Sequence, residues 1–254
     1  MKKFLSASLI LIFLFVSVVP AQKGSFNEVK QRQSPQNPRL GFAIHGGAGV
    51  IRRGSLTPER EAEYRKKLEE AVLAGYKALQ DGKTALDGVE TALRILEDSP
   101  LFNAGKGAVF TADGRNELDA SIMDGKTLAA GAVGGVHKVK NPITLARAVM
   151  EKSPHVMMVG DGAEKFAREM NIELVDEKYF WTQERWDSLQ RILKQEKEKE
   201  EKEKNQKKNG QVSINEGRTE QNTAVSVRQP DLKELPYNKF GTVGAVELDK
   251  NENL

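Results

Sequence analysis

The sequence predicts an α/β domain in which helices layer against sheet, and three observations carry that expectation. Short apolar runs of strand length stop at glycine clusters, two segments after residue 57 repeat apolar residues at helical spacing, and from about residue 108 the chain becomes glycine-rich with Asp-Gly turns. Strands and helices come in pairs, so a helix–sheet sandwich fits better than a strictly alternating parallel fold. The chain has 254 residues, 39% of them hydrophobic, with 39 basic and 36 acidic side chains and no cysteine. That is enough for one sizeable core, and it excludes a disulfide scaffold, a Cys-ligated metal site and a thiol nucleophile. The formal charge of +3 includes Lys2 and Lys3, and nothing in so even a balance calls for nucleic acid.

The first 21 residues read as a signal peptide. Met1-Lys2-Lys3 is basic, Leu9 to Val16 is unbroken apolar chain, and Val19-Pro20-Ala21 offers small residues before a cut, so the mature protein is expected to start near Gln22 and to be periplasmic or secreted. The apolar stretch is shorter than the roughly 20 residues that span a bilayer, so no stable membrane anchor is expected. Residues 22–38 lack apolar periodicity and read as a flexible leader. The domain opens with a buried strand at Leu40 to Ile44, stopped by His45-Gly46-Gly47-Ala48-Gly49. A helix follows from about Pro58, with Leu68, Val72, Gly75 and Leu79 on one stripe. Thr84 caps a second helix, Asp87 standing three residues on, and Leu86, Val89, Leu93 and Leu96 face inward.

Ala108 to Thr111, Glu117 to Met123 and Ala132 to Lys138 then read as an antiparallel meander with tight turns at Asp113-Gly114 and Asp124-Gly125. A helix from Pro142 to Lys152, a strand at Val156 to Val159 and a helix from Asp161 to Met170 complete the layered part, assigned to residues 39–186. Residues 187–239 read as a charged helix followed by a disordered linker, because glutamates interleave the lysines of Lys194 to Lys208 and no aromatics stand between them. Residues 240–254 resume as a strand whose first buried residue is Thr242, then a turn at Asp249 to Asn253. The chain is expected to stop where a hairpin partner would begin.

Several constellations fail on inspection. Gly47-Ala48-Gly49 follows a strand, but Arg52 stands where a dinucleotide loop needs its third glycine; Gly160-Asp161-Gly162 is as weak, and no Walker Gly-Lys-Ser/Thr occurs. His45, His137 and His155 are scattered without metal-ligand spacing, and no Gly-x-Ser-x-Gly elbow is present. What remains is Gly241-Thr242 at the end of the linker. A threonine hydroxyl becomes a useful nucleophile when a base lies beside it, and a free α-amino group on the same residue, of pKa about 8, can be that base. Cutting before Thr242 would supply both. On spacing alone, Gly-Thr-Val-Gly reads better as a tight glycine-containing core strand.

The tracts Ala43-Ile44-His45-Gly46-Gly47-Ala48-Gly49, Pro100-Leu101-Phe102-Asn103-Ala104-Gly105-Lys106-Gly107, Glu117-Leu118-Asp119-Ala120-Ser121-Ile122-Met123-Asp124-Gly125, Ser153-Pro154-His155-Val156-Met157-Met158 and Gly241-Thr242-Val243-Gly244-Ala245-Val246 together resemble the plant-type L-asparaginase / isoaspartyl peptidase family of N-terminal-nucleophile hydrolases. The resemblance implies a four-layer αββα sandwich and a precursor that cuts itself into α and β subunits, which assemble as a dimer of αβ pairs. It implies Thr242 as nucleophile and, after cleavage, base; Gly241 as the cleaved carbonyl; Asn103 beside the nucleophile; and His45, Gly46, Gly47 and Gly49 as a glycine loop near the site. It further implies a structural sodium ion on the main-chain carbonyls of Leu96, Glu97, Ser99, Phe102, Ala104 and Lys106, with no cofactor required for the chemistry. The substrates implied are L-asparagine and β-aspartyl dipeptides; glycine rather than aspartate before Thr242 sets the chain apart from the glycosylasparaginase and threonine-aspartase branches.

In the family the groups that hold the substrate's α-carboxylate and α-amine, a second threonine and a Thr-Gly oxyanion hole come later in the β subunit. They are therefore expected beyond Leu254, with most of the β-subunit half missing, and a chain of this length lacks its oxyanion donors. The alternative is a truncated, non-catalytic remnant or binding protein of the same fold.

Overall fold

The computed structural model describes residues 40–47, 56–209, 241–251 and 253. The expected signal peptide, the leader, Gly49, Arg52 and the linker at 210–239 lie outside the described residues. The elements in order are β1 (Gly41–His45), α1 (Pro58–Gln80), α2 (Ala85–Glu97), β2 (Leu118–Met123), β3 (Ala130–Val136), α3 (Pro142–Lys152), β4 (Met157–Val159), α4 (Gly160–Glu169), α5 (Gln183–Asn209) and β5 (Gly244–Leu248). The fold is α/β.

Local chemistry starts α1 and α2. Thr57 accepts from the Arg60 amide through its hydroxyl and Pro58 pre-sets the first turn of α1. At α2 the capping box is complete: the Thr84 hydroxyl accepts from Asp87 N, and the Asp87 carboxylate accepts from Thr84 N. Such a cap stabilises a helix start by about 1 kcal/mol. Helix α3 has Pro142 in its first turn but no side-chain bond from Asn141. Its cap comes from far away, as Glu97 at the end of α2 accepts from Ile143 N at 3.0 Å. Arg147 then ties the two helices laterally, donating to Asp87 at 2.8 Å and Glu90 at 2.9 Å.

The strands form two sheets. β1 and β5 pair antiparallel from Gly41↔Leu248 to His45↔Gly244, joining opposite ends of the described chain. β3 is central in the other sheet, antiparallel to β2 and parallel to β4, which the chain reaches through the α3 crossover. α1 and α2 pack on the first sheet, and α3 and α4 on the second. One core runs beneath both, with Leu96, Phe102, Val133, Val136, Ile143 and Phe180 among its most buried members.

Three expectations change. Ala108 to Thr111 contributes only the bridge Phe110↔Asn116, because the Asn116 side chain occupies the carbonyls of Ala108 and Val109. The tight turn expected at Asp124-Gly125 is a longer connection between Met123 and Ala130, closed by Leu128 N donating to Asp124 O at 2.8 Å with Leu128 left-handed at φ 61°. Strand β5 begins at Gly244, so Thr242 precedes it and is exposed rather than being its first buried residue.

Helix α5 starts in the core and leaves it. Trp186 meets Phe110 edge-on at 5.4 Å, Leu189 is buried, and residues 194–205 are exposed. The buried Arg185 donates through Nε to Gly107 O at 2.8 Å, and burial pulls its guanidinium pKa down. Arg185→Ala is expected to cost about 1.5–3 kcal/mol, read as a fall in the urea midpoint with an unchanged slope. Among the described residues no helix is long and apolar enough to cross a membrane.

Candidate active site

Thr242 stands two residues ahead of β5, and the β1–β5 ladder fixes where it points. It lines a cleft of about 640 Å³ together with Asn103, Glu117, Asp119 and Met157. Asn103 is held in place by its own loop, its side-chain oxygen accepting from Val109 N at 3.0 Å. Two residues from distant motifs, Asn103 and Thr242, are thus brought to one cavity. Among the described residues no cationic side chain lines it.

The glycine loop lies against the same segment. His45 is the register partner of Gly244, where a Cβ would collide with the imidazole. Gly46 packs on the Phe102 ring, which itself meets Tyr64 edge-on at 5.5 Å. Gly47, at φ +154°, has the Gly241 carbonyl oxygen 3.5 Å from where its Cβ would stand. A Cβ at Gly47 would stand in ordinary van der Waals contact with the carbonyl of the expected cut. Gly49 lies outside the described residues.

The segment after α2 wraps tightly. Ser99 is buried and accepts from Leu101 N through its hydroxyl, while Lys106 turns outward over the Tyr179 ring at 5.3 Å. A Cβ at Gly105 would overlap the carbonyl oxygen of Glu97, and one at Gly107 would overlap those of Phe102 and Pro100. Ala104 O accepts from Gly107 N, and Leu96 O accepts from Ser99 N as well as from the Asp98 amide. A bend of uncharged carbonyl oxygens suits a hard cation in donor chemistry, so the residues fit a sodium ion. Burial pushes the Glu97 carboxyl up to about 8; one oxygen caps α3 and the other has no partner among the described residues.

Glu117 and Asp119 belong to the cleft wall; the sequence reading placed them in a strand and in a family motif but gave them no role at the site. The signal was available as period two: Asp119 and Ser121 are exposed on the cleft side while Leu118 and Ile122 are buried. Asp119 is anchored by the Gly135 amide at 2.8 Å.

Comparison with known proteins follows the same boundaries. A family model described as Asparaginase matches residues 39–254. The isoaspartyl peptidase of Escherichia coli (strain K12) is 44% identical over 213 residues, 84% of this chain and 58% of that protein. The plant-type L-asparaginase of Thermococcus kodakarensis is 44% identical over 209 residues, 82% of this chain and 59% of that protein. That of Pyrococcus abyssi is 50% identical over 154 residues, 61% of this chain and 49% of that protein. The chain spans about half the length of the curated relatives it matches. A family match over residues 39–254 means that the chain belongs to the asparaginase family.

Proposed function

We propose that this protein is an exported, self-cleaving amidohydrolase acting on L-asparagine and β-aspartyl dipeptides through an acyl-threonine intermediate. The observation that carries the reading is the placement of Thr242 in one cleft with Asn103 while the Gly241 carbonyl lies beside Gly47. Relatives named isoaspartyl peptidase and plant-type L-asparaginase support the substrate class.

The Thr242 hydroxyl attacks the Gly241 carbonyl carbon, the Gly241–Thr242 C–N bond breaks, and the acyl group passes from nitrogen to oxygen. The hydroxyl proton passes to the departing nitrogen, which becomes the free Thr242 amine; water then hydrolyses the ester, leaving Gly241 as a carboxylate and restoring the Thr242 hydroxyl. In turnover this amine takes the hydroxyl proton as the oxygen attacks the side-chain amide of asparagine or the β-peptide bond. Ammonia or an amino acid leaves with a proton, and water releases aspartate from the acyl-enzyme. Asn103, one bond from the loop backbone, offers a fixed polar group to the charge that develops beside Thr242.

The surrounding proposals follow the family. The sandwich has four layers and the mature protein is a dimer of αβ pairs. Residues 1–21 direct export to the periplasm or medium and are removed. The carbonyls of Leu96, Glu97, Ser99, Phe102, Ala104 and Lys106 would hold a sodium ion, whose chemistry is to neutralise converging carbonyl dipoles and stiffen the loop that carries Asn103.

The test is aspartate release from L-asparagine and from β-aspartyl-leucine, with α-aspartyl-leucine as control, by protein whose N-terminal sequencing shows a free Thr242. Release from the first two and not the third is expected. No release from either by protein with that freed terminus overturns the reading.

A further inference from the structure

Strand β5 carries a carboxyl that it buries without a partner. Glu247 pairs with Phe42 across the ladder to β1 and turns inward onto α2, only 2% exposed. Neither oxygen has a hydrogen-bond partner among the described residues. Its room is made by a residue far away in sequence: the carboxyl sits on the Cα of Gly88, where any Cβ would fall inside contact with both oxygens. The pair is complementary in shape, a large inward side chain on β5 against a missing one on α2.

The charges around it are unfavourable to ionisation. On its own strand end stands Asp249, committed to the amides of Asn251 and Asn253. On α2 stand Asp87, committed to Thr84 and Arg147, and Glu90, committed to Thr144 and Arg147. On β1 the titratable side chain is His45, at the far end of the ladder against Gly244. Among the described residues no salt bridge reaches Glu247. Burial first, then Asp249 and Asp87, push its carboxyl up to about 8. A neutral carboxyl in an apolar seat costs far less than a carboxylate there.

We infer that Glu247 is a positioning residue for the nucleophile: its neutral carboxyl seats β5 on α2, and its ionisation loosens that seat and with it the placement of Thr242 in the cleft. The inference rests on the reading of Thr242 as nucleophile for its consequence, but not for its mechanism. Because the folded state favours the protonated acid, docking of β5 is strongest at or below the ordinary carboxyl range. It weakens as pH rises from about 4.5 to about 8 and is level above that.

Hydrogen exchange of the backbone amides of residues 243–248, read by mass spectrometry and corrected for intrinsic rates, tests it on the intact chain. Between about pH 5 and about pH 9 the native protein is expected to lose protection at β5 by about tenfold or more, while Glu247→Gln stays within about twofold. The same pH response in both proteins overturns the inference. Glu247→Ala, paired with Gly88→Ala to fill the space, gives a second neutral variant with the same expected flat response. Appearance of the fragment beginning at Thr242 is followed on a gel in parallel. Cutting that declines with pH in the native chain and not in Glu247→Gln supports the positioning role; identical cutting profiles remove it. A β5 response with no cutting at any pH would instead sink the nucleophile reading and leave the strand's pH response standing.

Discussion

Thr242→Ala leaves the chain in one piece. The substitution removes the only oxygen that the mechanism uses to attack the Gly241 carbonyl, so the self-cleavage rate is expected to fall by at least about a thousandfold. A denaturing gel reads the result directly, as a single band where the native protein gives two. Thr242 is exposed and lies ahead of β5, so the folded state should lose no more than about 0.5 kcal/mol. Unchanged circular dichroism beside an uncut band therefore separates lost chemistry from lost structure. Thr242→Ser keeps the hydroxyl but not the branched Cβ that holds the rotamer, and is expected to cut, more slowly. Normal cutting in the alanine variant would remove Thr242 from the mechanism.

Gly107→Ala is expected to be strongly destabilising. Gly107 is buried, and an added Cβ would penetrate the carbonyl oxygen of Phe102 and crowd that of Pro100. These are backbone atoms, so no rotamer change relieves the overlap and the whole bend from Pro100 to Ala108 must shift. The expected cost is about 3 kcal/mol, which for a domain of this size lowers the melting temperature by roughly 6–12 °C. The same shift would move the Gly107 carbonyl off Arg185 and disturb the loop that holds Asn103. Melting followed by circular dichroism checks it; an unchanged melting temperature would mean that the bend yields freely and cannot be the rigid carrier of Asn103 and the cation ligands.

Local signals carried the sequence reading well. Thr84 with Asp87, Pro58 and Pro142 announce helix starts through bonds and dihedrals that involve only neighbouring residues, and all three starts lie where those signals put them. Ala108 to Thr111 misled because its β-like composition says nothing about Asn116, whose amide takes the carbonyls that a ladder would have used. At the site, family motifs pointed to Asn103 and Thr242, and the structure shows them sharing a cleft. Glu247 was illegible for a different reason. An inward carboxyl on a strand reads as a register error unless one knows that Gly88 leaves a hole opposite it. Complementarity across so long a sequence separation has no local signature.

The β1–β5 ladder also sets an order of events. Its two strands come from residues 41–45 and 244–248, so the segment that presents Thr242 can close only when the chain's distant ends meet. Contacts of such separation carry the largest loop-closure cost and form late. The capped helices and the β2–β3 hairpin can assemble without them. A bond cut by Thr242 would thus be cut only in molecules whose last sheet has already formed, making cleavage a checkpoint on completed folding rather than a hazard of the nascent chain.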